Sequence, residues 1–180
     1  MNTASIFTDS IKTESTGLRA GDRILLSGTV YTARDAAHKR ITALINEGQP
    51  LPFELDGAVI YYMGPTPAKN GLAVGSAGPT TSGRMDPFTP LLLDNGVCAM
   101  IGKGNRSKEV IDSIIRNNAV YFCAVGGAGA LYSKHITSCE VIAFPELGCE
   151  SVKRLTVSDF PLTVGIDCTG GSVYVPSRKT

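Results

Sequence analysis

The sequence predicts a single α/β domain with a mixed sheet and a β-rich carboxyl-terminal part. Three times between residues 23 and 118, a short apolar run typical of a strand leads through a turn into an apolar stripe with helical spacing. Beyond residue 120 the apolar runs are separated mainly by tight glycine turns. At 180 residues, 43% of them apolar, the chain can fill one core, so we expect one domain over residues 1–180.

The first third of the chain predicts an arm, a strand and a helix. Residues 1–20 are weakly patterned and favour a short edge strand or a docked arm. Residues 23–31 are rich in strand formers, and Gly28 among them indicates a bulge. A helix is expected over residues 34–47, with Thr32 or Asp35 as its cap and Gly48 just past its end.

The rest of the chain alternates between strands and helices before it becomes mainly β. We expect helices at residues 86–94 and 108–118, and strands at residues 58–63, 97–101, 120–125, 137–144, 151–157, 162–168 and 172–175. The loop over residues 64–83 is about 20 residues long, which is unusual in a compact domain unless the loop has a function.

Charge and hydropathy exclude several classes of function. Lysine and arginine total 17 and aspartate and glutamate total 16, so the net charge of +1 gives no electrostatic case for a nucleic acid or a membrane surface as partner. No run reaches the roughly 18 to 20 apolar residues of a spanning helix, and Asp9 and Lys12 precede any long apolar run. We therefore expect a soluble, cytoplasmic protein.

The five cysteines are too widely and irregularly spaced for a disulfide framework, which indicates a reducing compartment. A metal site built by one chain usually has cysteines two to four residues apart at least once, and none are so close here. We expect these cysteines to be small buried hydrophobic residues, and we expect no metal ligands in this chain.

The run Gly78-Pro79-Thr80-Thr81-Ser82-Gly83-Arg84-Met85-Asp86 has a composition that no ordinary core element needs. It lies where a strand-to-helix turn is expected, and free backbone N–H groups at such a turn favour an anion. Arginine adds a planar fork that matches a carboxylate, so the run indicates capture of a small acid. The alternative is a surface loop in which the hydroxyls cap the next helix and Arg84 pairs with Asp86.

A second glycine turn, over residues 102–107, could be taken for a phosphate cradle. It lacks the spacing of a P-loop or of the dinucleotide fingerprint, so a nucleotide site is the weaker interpretation.

Several blocks in order resemble the class I, iron–sulfur-dependent fumarate hydratases, in the part that forms their C-terminal domain or separate β subunit. The blocks are residues 32–40 (Thr-Ala-Arg-Asp-Ala-Ala-His-Lys-Arg), 78–86, 102–107 (Gly-Lys-Gly-Asn-Arg-Ser), Gly126-Gly127 and Pro145-Glu146-Leu147-Gly148. The resemblance implies the swivelling β/β/α fold. It also implies that Arg34, Arg84 and Lys103 clamp the substrate and that Thr80 acts in proton transfer. Supporting positions in the matching blocks are Asp35, His38, Thr81, Asp86 and Asn105.

The resemblance further implies a division of the active site between two polypeptides. The family uses a [4Fe-4S] cluster with one open iron, and its cysteine ligands belong to the α subunit or N-terminal domain. This chain would then be a β subunit that supplies half of a shared site for a small dicarboxylate. It would be inactive alone and would work as a heterodimer or heterotetramer.

Two alternatives remain open from the sequence. The β subunit of L-tartrate dehydratase shares the architecture and the Gly-Pro-Thr-Thr motif, although this chain follows the fumarase form at Gly83, Asp86 and residues 105–107. A non-catalytic domain that binds small acids would keep the three cations but would have no cluster-bearing partner.

Overall fold

Five strands close into a barrel in the computed structural model, which describes residues 3–68 and 71–174. The sheet order is β1-β2-β3-β4-β5-β7-β6, and β7 also pairs with β2, which closes the ring β2-β3-β4-β5-β7. The pairs from β1 to β5 are parallel, and every pair with β7 is antiparallel. The strands are β1 Thr3–Phe7, β2 Arg23–Thr32, β3 Val59–Tyr61, β4 Ala99–Gly102, β5 Val120–Cys123, β6 Ile136–Ala143 and β7 Val152–Ile166.

Within the described ranges, five α-helices connect or flank these strands: α1 Ile11–Glu14, α2 Asp35–Asn46, α3 Thr89–Asp94, α4 Lys108–Arg116 and α5 Gly129–Ser133. Single turns of 3-10 helix lie at Thr8–Ser10, Ser15–Gly17 and Ser82–Met85, and a longer 3-10 segment lies at Pro145–Glu150. The prediction of an α/β domain with a mixed sheet and a β-rich end, as in the swivelling β/β/α fold, is confirmed. None of the helices in the described ranges has the length and apolar character needed to span a bilayer.

The direction of the side chains alternates along each strand, and this alternation divides the core into two layers. Val59 and Tyr61 of β3 belong to the cluster inside the barrel, whereas Ile60 and Tyr62 belong to the cluster that packs under the helices. Successive side chains of a strand point to opposite faces, so a short strand such as β3 serves both layers. All three of its residues are buried, which explains why the strand reads as a continuous apolar run.

The carboxyl-terminal strand differs from its prediction. Residues 151–157 and 162–168 were expected as two strands, yet β7 is one strand of 15 residues. Between the pairs Leu26–Phe160 and Gly28–Val157, β7 has one more residue than β2. Asp159 takes the left-handed conformation there, with φ of 48°. The polar interruption is thus a bulge. It lies at the level of Gly28, where a bulge was predicted, but the extra residue is in β7 and not in β2.

The bounds of several other elements differ from the predicted ones. The helix expected at residues 86–94 begins at Thr89. The strand expected at 172–175 is reduced to a single bridge between Ile166 and Ser172, and residue 175 lies outside the described range. Helix α5 and the 3-10 segment Pro145–Glu150 were not predicted, because each is short and rich in glycine or proline.

Helix α2 ends as predicted but begins differently. Gly48 follows it with φ of 62°, the left-handed conformation expected just past a helix end. Its N-cap is Arg34, and neither Thr32 nor Asp35 caps it with a side chain. Instead, the backbone N–H of Ala36 donates to Glu150 Oε2 at 3.0 Å. A carboxylate distant in sequence therefore takes the place of the expected local cap.

All five cysteines are free, but they do not share one environment. Cys98 and Cys168 are buried as expected, whereas Cys149 is exposed in the 3-10 segment beside Glu150. Cys123 and Cys139 are only partly buried, so the expectation of buried cysteines is confirmed for two of the five and wrong for Cys149.

Candidate active site

The parallel strands β2, β3 and β4 end at one edge of the barrel, and the predicted site residues lie in the turns at that edge. Arg34 lies two residues beyond the end of β2, and Lys103 directly follows β4. Thr80 reaches the same edge from the long loop, because its backbone N–H donates to the carbonyl of Tyr62 at 2.8 Å. Residues far apart in sequence are brought together because parallel strands present their carboxyl ends on one side.

The last residues of the long loop, 80–83, lie along this edge. Thr81 forms an isolated parallel bridge with Lys103, and the N–H of Ser82 donates to the Lys103 carbonyl at 2.9 Å. The buried Ser82 hydroxyl is 2.9 Å from that of Tyr121. A Cβ at position 102 would collide with the Ser82 hydroxyl, so a glycine is needed there for the loop to approach. Thr80 and Thr81 are thereby held beside Lys103.

Arg84 is joined to the beginning of helix α2. Its Nε donates to Asp35 Oδ1 at 3.0 Å, and its Nη2 lies 2.9 Å from Asp35 Oδ2. The alternative pairing of Arg84 with Asp86 is therefore wrong. The Arg84 side chain remains 51% exposed, so a ligand at this edge can reach its guanidinium.

Arg34 is more enclosed and is held by a residue that the sequence did not indicate. Its Nη2 lies 3.4 Å from Glu150 Oε1, and its buried Nε has no hydrogen-bond partner among the described residues. A Cβ at Gly64 would lie 3.1 Å from Arg34 Nη1 and 2.9 Å from the Cys149 carbonyl. The arginine is therefore packed between the start of the long loop and the 3-10 segment that contains Glu150.

Lys103 is the third cation at this edge. A Cβ built on Gly126 would be 3.4 Å from Lys103 Cδ and 3.6 Å from its Nζ, so the lysine side chain lies over the turn after β5. Within the described part of the chain its ammonium has no carboxylate within 4.0 Å. Together with Arg34 and Arg84, each paired with one carboxylate, it leaves the edge with excess positive charge.

Asp86 holds a buried arginine instead of facing the site. Its Oδ1 accepts from Arg106 Nε at 2.7 Å, and its Oδ2 accepts from the backbone N–H of Ser107 at 2.6 Å. The Arg106 guanidinium lies over the rings of Tyr62 and Tyr121, at 5.2 and 5.0 Å from their centroids. This contact fixes the turn that follows Arg84 against the turn that follows Lys103.

Asn105 and His38 support the edge from different positions. Asn105 is exposed, and its Oδ1 accepts from the backbone N–H of Arg106 at 2.8 Å. His38 is fully buried, with its Nδ1 2.9 Å from the Arg34 carbonyl. A carbonyl only accepts, so Nδ1 carries the proton. Burial lowers the pKa of His38 to about 4, although the hydrogen bond to that carbonyl acts in the opposite direction and raises it. His38 is thus a neutral residue beneath Arg34 that does not face a ligand.

The buried histidine predicts a loss of stability in mild acid. The folded pKa of about 4 lies below the ordinary 6.5, so the unfolded chain takes up a proton first as the pH falls. The contribution of neutral His38 to the free energy of unfolding is therefore lost as the pH falls from about 6.5 to about 4. Between pH 7 and pH 5 this loss is roughly 2 kcal/mol. Urea unfolding at both pH values should show this difference in the wild type and not in His38→Gln.

The control for this measurement is the other histidine, His135, which is only partly buried. His135→Gln leaves His38 in place and should lose as much stability between pH 7 and pH 5 as the wild type does. If His38→Gln also kept the full difference, the assignment to His38 would be wrong.

The donor set at this edge suits an organic acid and does not suit a metal. Ammonium and guanidinium groups cannot ligate a cation, and hydroxyl and guanidinium donors match carboxylate oxygens. Over residues 3–68 and 71–174, no group of three or more histidine, cysteine, aspartate or glutamate side chains is placed to hold a metal ion.

Comparison with known proteins shows which proteins this chain is similar to. The family model described as Fumarase C-terminus matches residues 2–176. Fumarate hydratase 2 of Leishmania major is 38% identical over 92% of this chain and 30% of its own length. The anaerobic class I fumarate hydratase of Escherichia coli K12 is 38% identical over 84% of this chain and 28% of its own. The chain thus spans less than a third of these curated relatives.

A relative of similar length also exists. A Methanocaldococcus jannaschii protein, provisionally named as the β subunit of an L(+)-tartrate dehydratase, is 36% identical over 90% of this chain and 86% of its own length. The segment therefore occurs both within longer proteins and as most of a shorter one.

Proposed function

This chain belongs to the family of fumarase C-terminal domains, and we propose that it supplies the substrate-clamping half of the active site of a hydro-lyase that interconverts fumarate and (S)-malate. The observation that supports the proposal is the position of four residues at one edge of the barrel. Arg34 follows β2, Thr80 is hydrogen-bonded to the residue after β3, Lys103 follows β4, and Arg84 pairs with Asp35 at the start of α2. The curated relatives with class I fumarate hydratase names support the reaction class.

The charges at this edge fit the main difficulty of the reaction. Hydration of fumarate places water across a double bond between two carboxylates, and the intermediate carries extra negative charge on one of them. Preorganised cationic donors aimed at developing charge are worth about 3 to 4 kcal/mol each, by analogy with the removal of a donor from an oxyanion hole. Arg34 and Arg84 each offer a fork for a carboxylate, and Lys103 adds a mobile point charge.

Each of the two arginines already forms an ion pair with a carboxylate of this chain. These pairs orient the N–H donors that remain for a diacid. Glu150 and Asp35 hold the guanidiniums of Arg34 and Arg84 through one side each. The remaining N–H donors of each fork can meet a substrate carboxylate without losing that support. The side chains are therefore oriented before the ligand arrives, which lowers the entropy cost of binding.

Thr80 is the residue that we assign to proton transfer at the malate carbon. Its backbone is fixed to the Tyr62 carbonyl, and among the described residues its hydroxyl has no hydrogen-bond partner, so the hydroxyl can turn towards a ligand. A threonine hydroxyl is far too weak an acid to act as a base unaided. Positive charge from Lys103 and Arg84 must stabilise its ionised form.

The activation of water must come from outside the described residues, because none of the groups at this edge would ionise water near neutral pH. A [4Fe-4S] cluster held by a separate α subunit would supply a Lewis acid for that step. The ammonium and guanidinium groups at this edge cannot ligate iron, so we place the cluster ligands on the partner. The relative provisionally named as a β subunit supports such a division.

The same relative favours a second candidate, the dehydration of tartrate to oxaloacetate. Tartrate is also a four-carbon diacid, so the three cations would serve it equally well. One added hydroxyl is discriminated strongly only if the site is built to pair with it. Assays of one preparation with malate, fumarate and tartrate would therefore decide between the two substrates.

The proposal predicts that activity requires two polypeptides. The partner to test is the protein of the same genome that matches the part of class I fumarate hydratases not covered here. We expect no fumarate hydration by the isolated chain and clear hydration, followed as malate formation, once the cluster-loaded partner is added. Activity of the chain alone would contradict the division of the site. A mixture inactive on fumarate, malate and tartrate would contradict the proposed function.

A further inference from the structure

An apolar groove of about 430 Å³ lies beside the cationic edge. Its lining comes from β1, β2, β5, α5 and β7, and includes Thr3, Leu25, Val125, Ala128, Leu131 and Leu162. Val125 and Leu131 are 67% and 51% exposed. Exposed apolar side chains that adjoin one another along a groove are a feature of surfaces to which other proteins bind. We call this surface the α5 groove.

The groove is continuous with the candidate active site. Val125 directly precedes Gly126, the residue over which the Lys103 side chain lies. On the other side of α5, the Gly129 carbonyl accepts from the N–H of Ala77 at 3.0 Å, in the long loop that leads to Thr80. A Cβ at Gly129 would lie 2.9 Å from the backbone nitrogen of Gly78. The wall of the groove therefore touches both the lysine turn and the threonine loop.

Buried aromatic contacts hold the α5 wall of the groove in place. The buried Tyr132 hydroxyl accepts from the backbone N–H of Val125 at 2.6 Å, and its ring stacks on Phe160 with centroids 4.8 Å apart. The exposed side chains Val125 and Leu131 thus project from a fixed backbone. A preorganised apolar surface loses little entropy when a partner binds to it.

The longer relatives indicate what occupies this surface. The matching family is described as a C-terminus, and the chain corresponds to 30% of the length of Fumarate hydratase 2 of Leishmania major, so we infer that most of such a longer relative precedes this domain. The family match begins at residue 2, and Thr3 lines the groove. In such a relative, the polypeptide that precedes this domain would therefore join it beside the groove. The other end of the groove, at Val125, lies next to the turn that Lys103 covers.

We propose that the α5 groove is the docking surface for the subunit that completes the active site, and that docking there fixes the Thr80 loop and the Lys103 turn through α5. This inference rests on the proposed function, because the partner subunit is the one that the proposed function requires. It adds the surface by which that partner is recognised. A second copy of this chain is the other conceivable occupant, and the test below separates the two.

The test is a titration of this chain with the cluster-bearing partner defined above, using Leu131→Asp and the matched control Ile115→Asp. Ile115 is 42% exposed on α4 and lines no part of the groove. A charge in place of an apolar anchor should weaken association about tenfold or more. The control should bind within about twofold of the wild type. Hydrogen exchange should slow in residues 125–133 when the complex forms.

The outcomes separate the groove from the function. If Leu131→Asp binds and supports fumarate hydration like the wild type, the groove is not the docking surface and the proposed function stands. If the wild type does not bind the partner at all, both proposals fail. If the free wild type sediments as a dimer that Leu131→Asp dissociates while partner binding is unchanged, a second copy occupies the groove. Should Leu131→Asp unfold, Val125→Asp replaces it in the same titration.

Discussion

Replacing Arg84 by methionine in the assembled enzyme is expected to lower kcat/KM for malate about 100- to 1,000-fold, equivalent to about 3 to 4 kcal/mol. The methionine keeps much of the side-chain volume but removes the donors that would meet the developing charge. The loss should appear mainly in kcat if the arginine acts on the intermediate more than on the bound substrate. Steady-state kinetics with both malate and fumarate would measure it.

The matched control for this change is Arg116→Met. Arg116 is similarly exposed, at 55% against 51% for Arg84, and each arginine is paired with one aspartate. Arg116 lies on α4 and pairs with Asp94, away from the cationic edge. Its replacement should leave kcat/KM unchanged. A near-normal rate for Arg84→Met, or an equal loss for both variants, would show that the clamp is wrongly assigned.

Replacing Arg106 by methionine is expected to destabilise the fold by about 3 to 5 kcal/mol. The Arg106 side chain is completely buried and pairs with Asp86 at 2.7 Å. Its removal leaves a partly buried carboxylate without its cation and takes the guanidinium away from two tyrosine rings. Urea unfolding of the isolated chain would measure the difference in the free energy of unfolding.

Arg154→Met provides the comparison for a surface ion pair. Arg154 and Glu140 are 53% and 62% exposed, and such pairs typically contribute less than about 1 kcal/mol. The double variant with Asp86→Leu and Arg106→Met should recover part of the stability, because it no longer leaves a charge unpaired. A loss for Arg106→Met as small as that for Arg154→Met would contradict the role of Arg106 in joining the two turns.

The position of the candidate edge could be predicted from local patterns and one topological rule, whereas the choice of its cations came from the family resemblance. The apolar periodicity places β2, α2 and β4 to within a few residues, so Arg34 and Lys103 fall directly after strands. Parallel strands then bring these turns to one side. The bulge at the level of Gly28 and the glycine that ends α2 are equally local features.

What the sequence could not predict depends on contacts between distant turns. Asp35, not the nearby Asp86, pairs with Arg84, because the 3-10 turn carrying Arg84 packs on the start of α2. Glu150 lies 114 residues from the helix terminus that it caps. No local signal marks Glu150 or Arg106, because their partners are set by the packing of segments far apart in sequence.

The continuity of β7 could not be predicted for a related reason. Its polar interruption resembles a turn when β7 is considered alone, but β2 pairs with β7 on both sides of the extra residue and keeps the strand continuous. A strand break and a bulge differ only in what the neighbouring strand does. The sequence of one strand cannot contain that information.

The central claim is that three cations from separate turns hold one four-carbon diacid beside Thr80. A crystal structure of the assembled enzyme with bound malate tests it most directly. We expect the two malate carboxylates within hydrogen-bonding distance of Arg34, Arg84 and Lys103, with the Thr80 hydroxyl facing the carbon that exchanges a proton. Malate bound elsewhere, or in contact with only one of the three cations, would contradict the account.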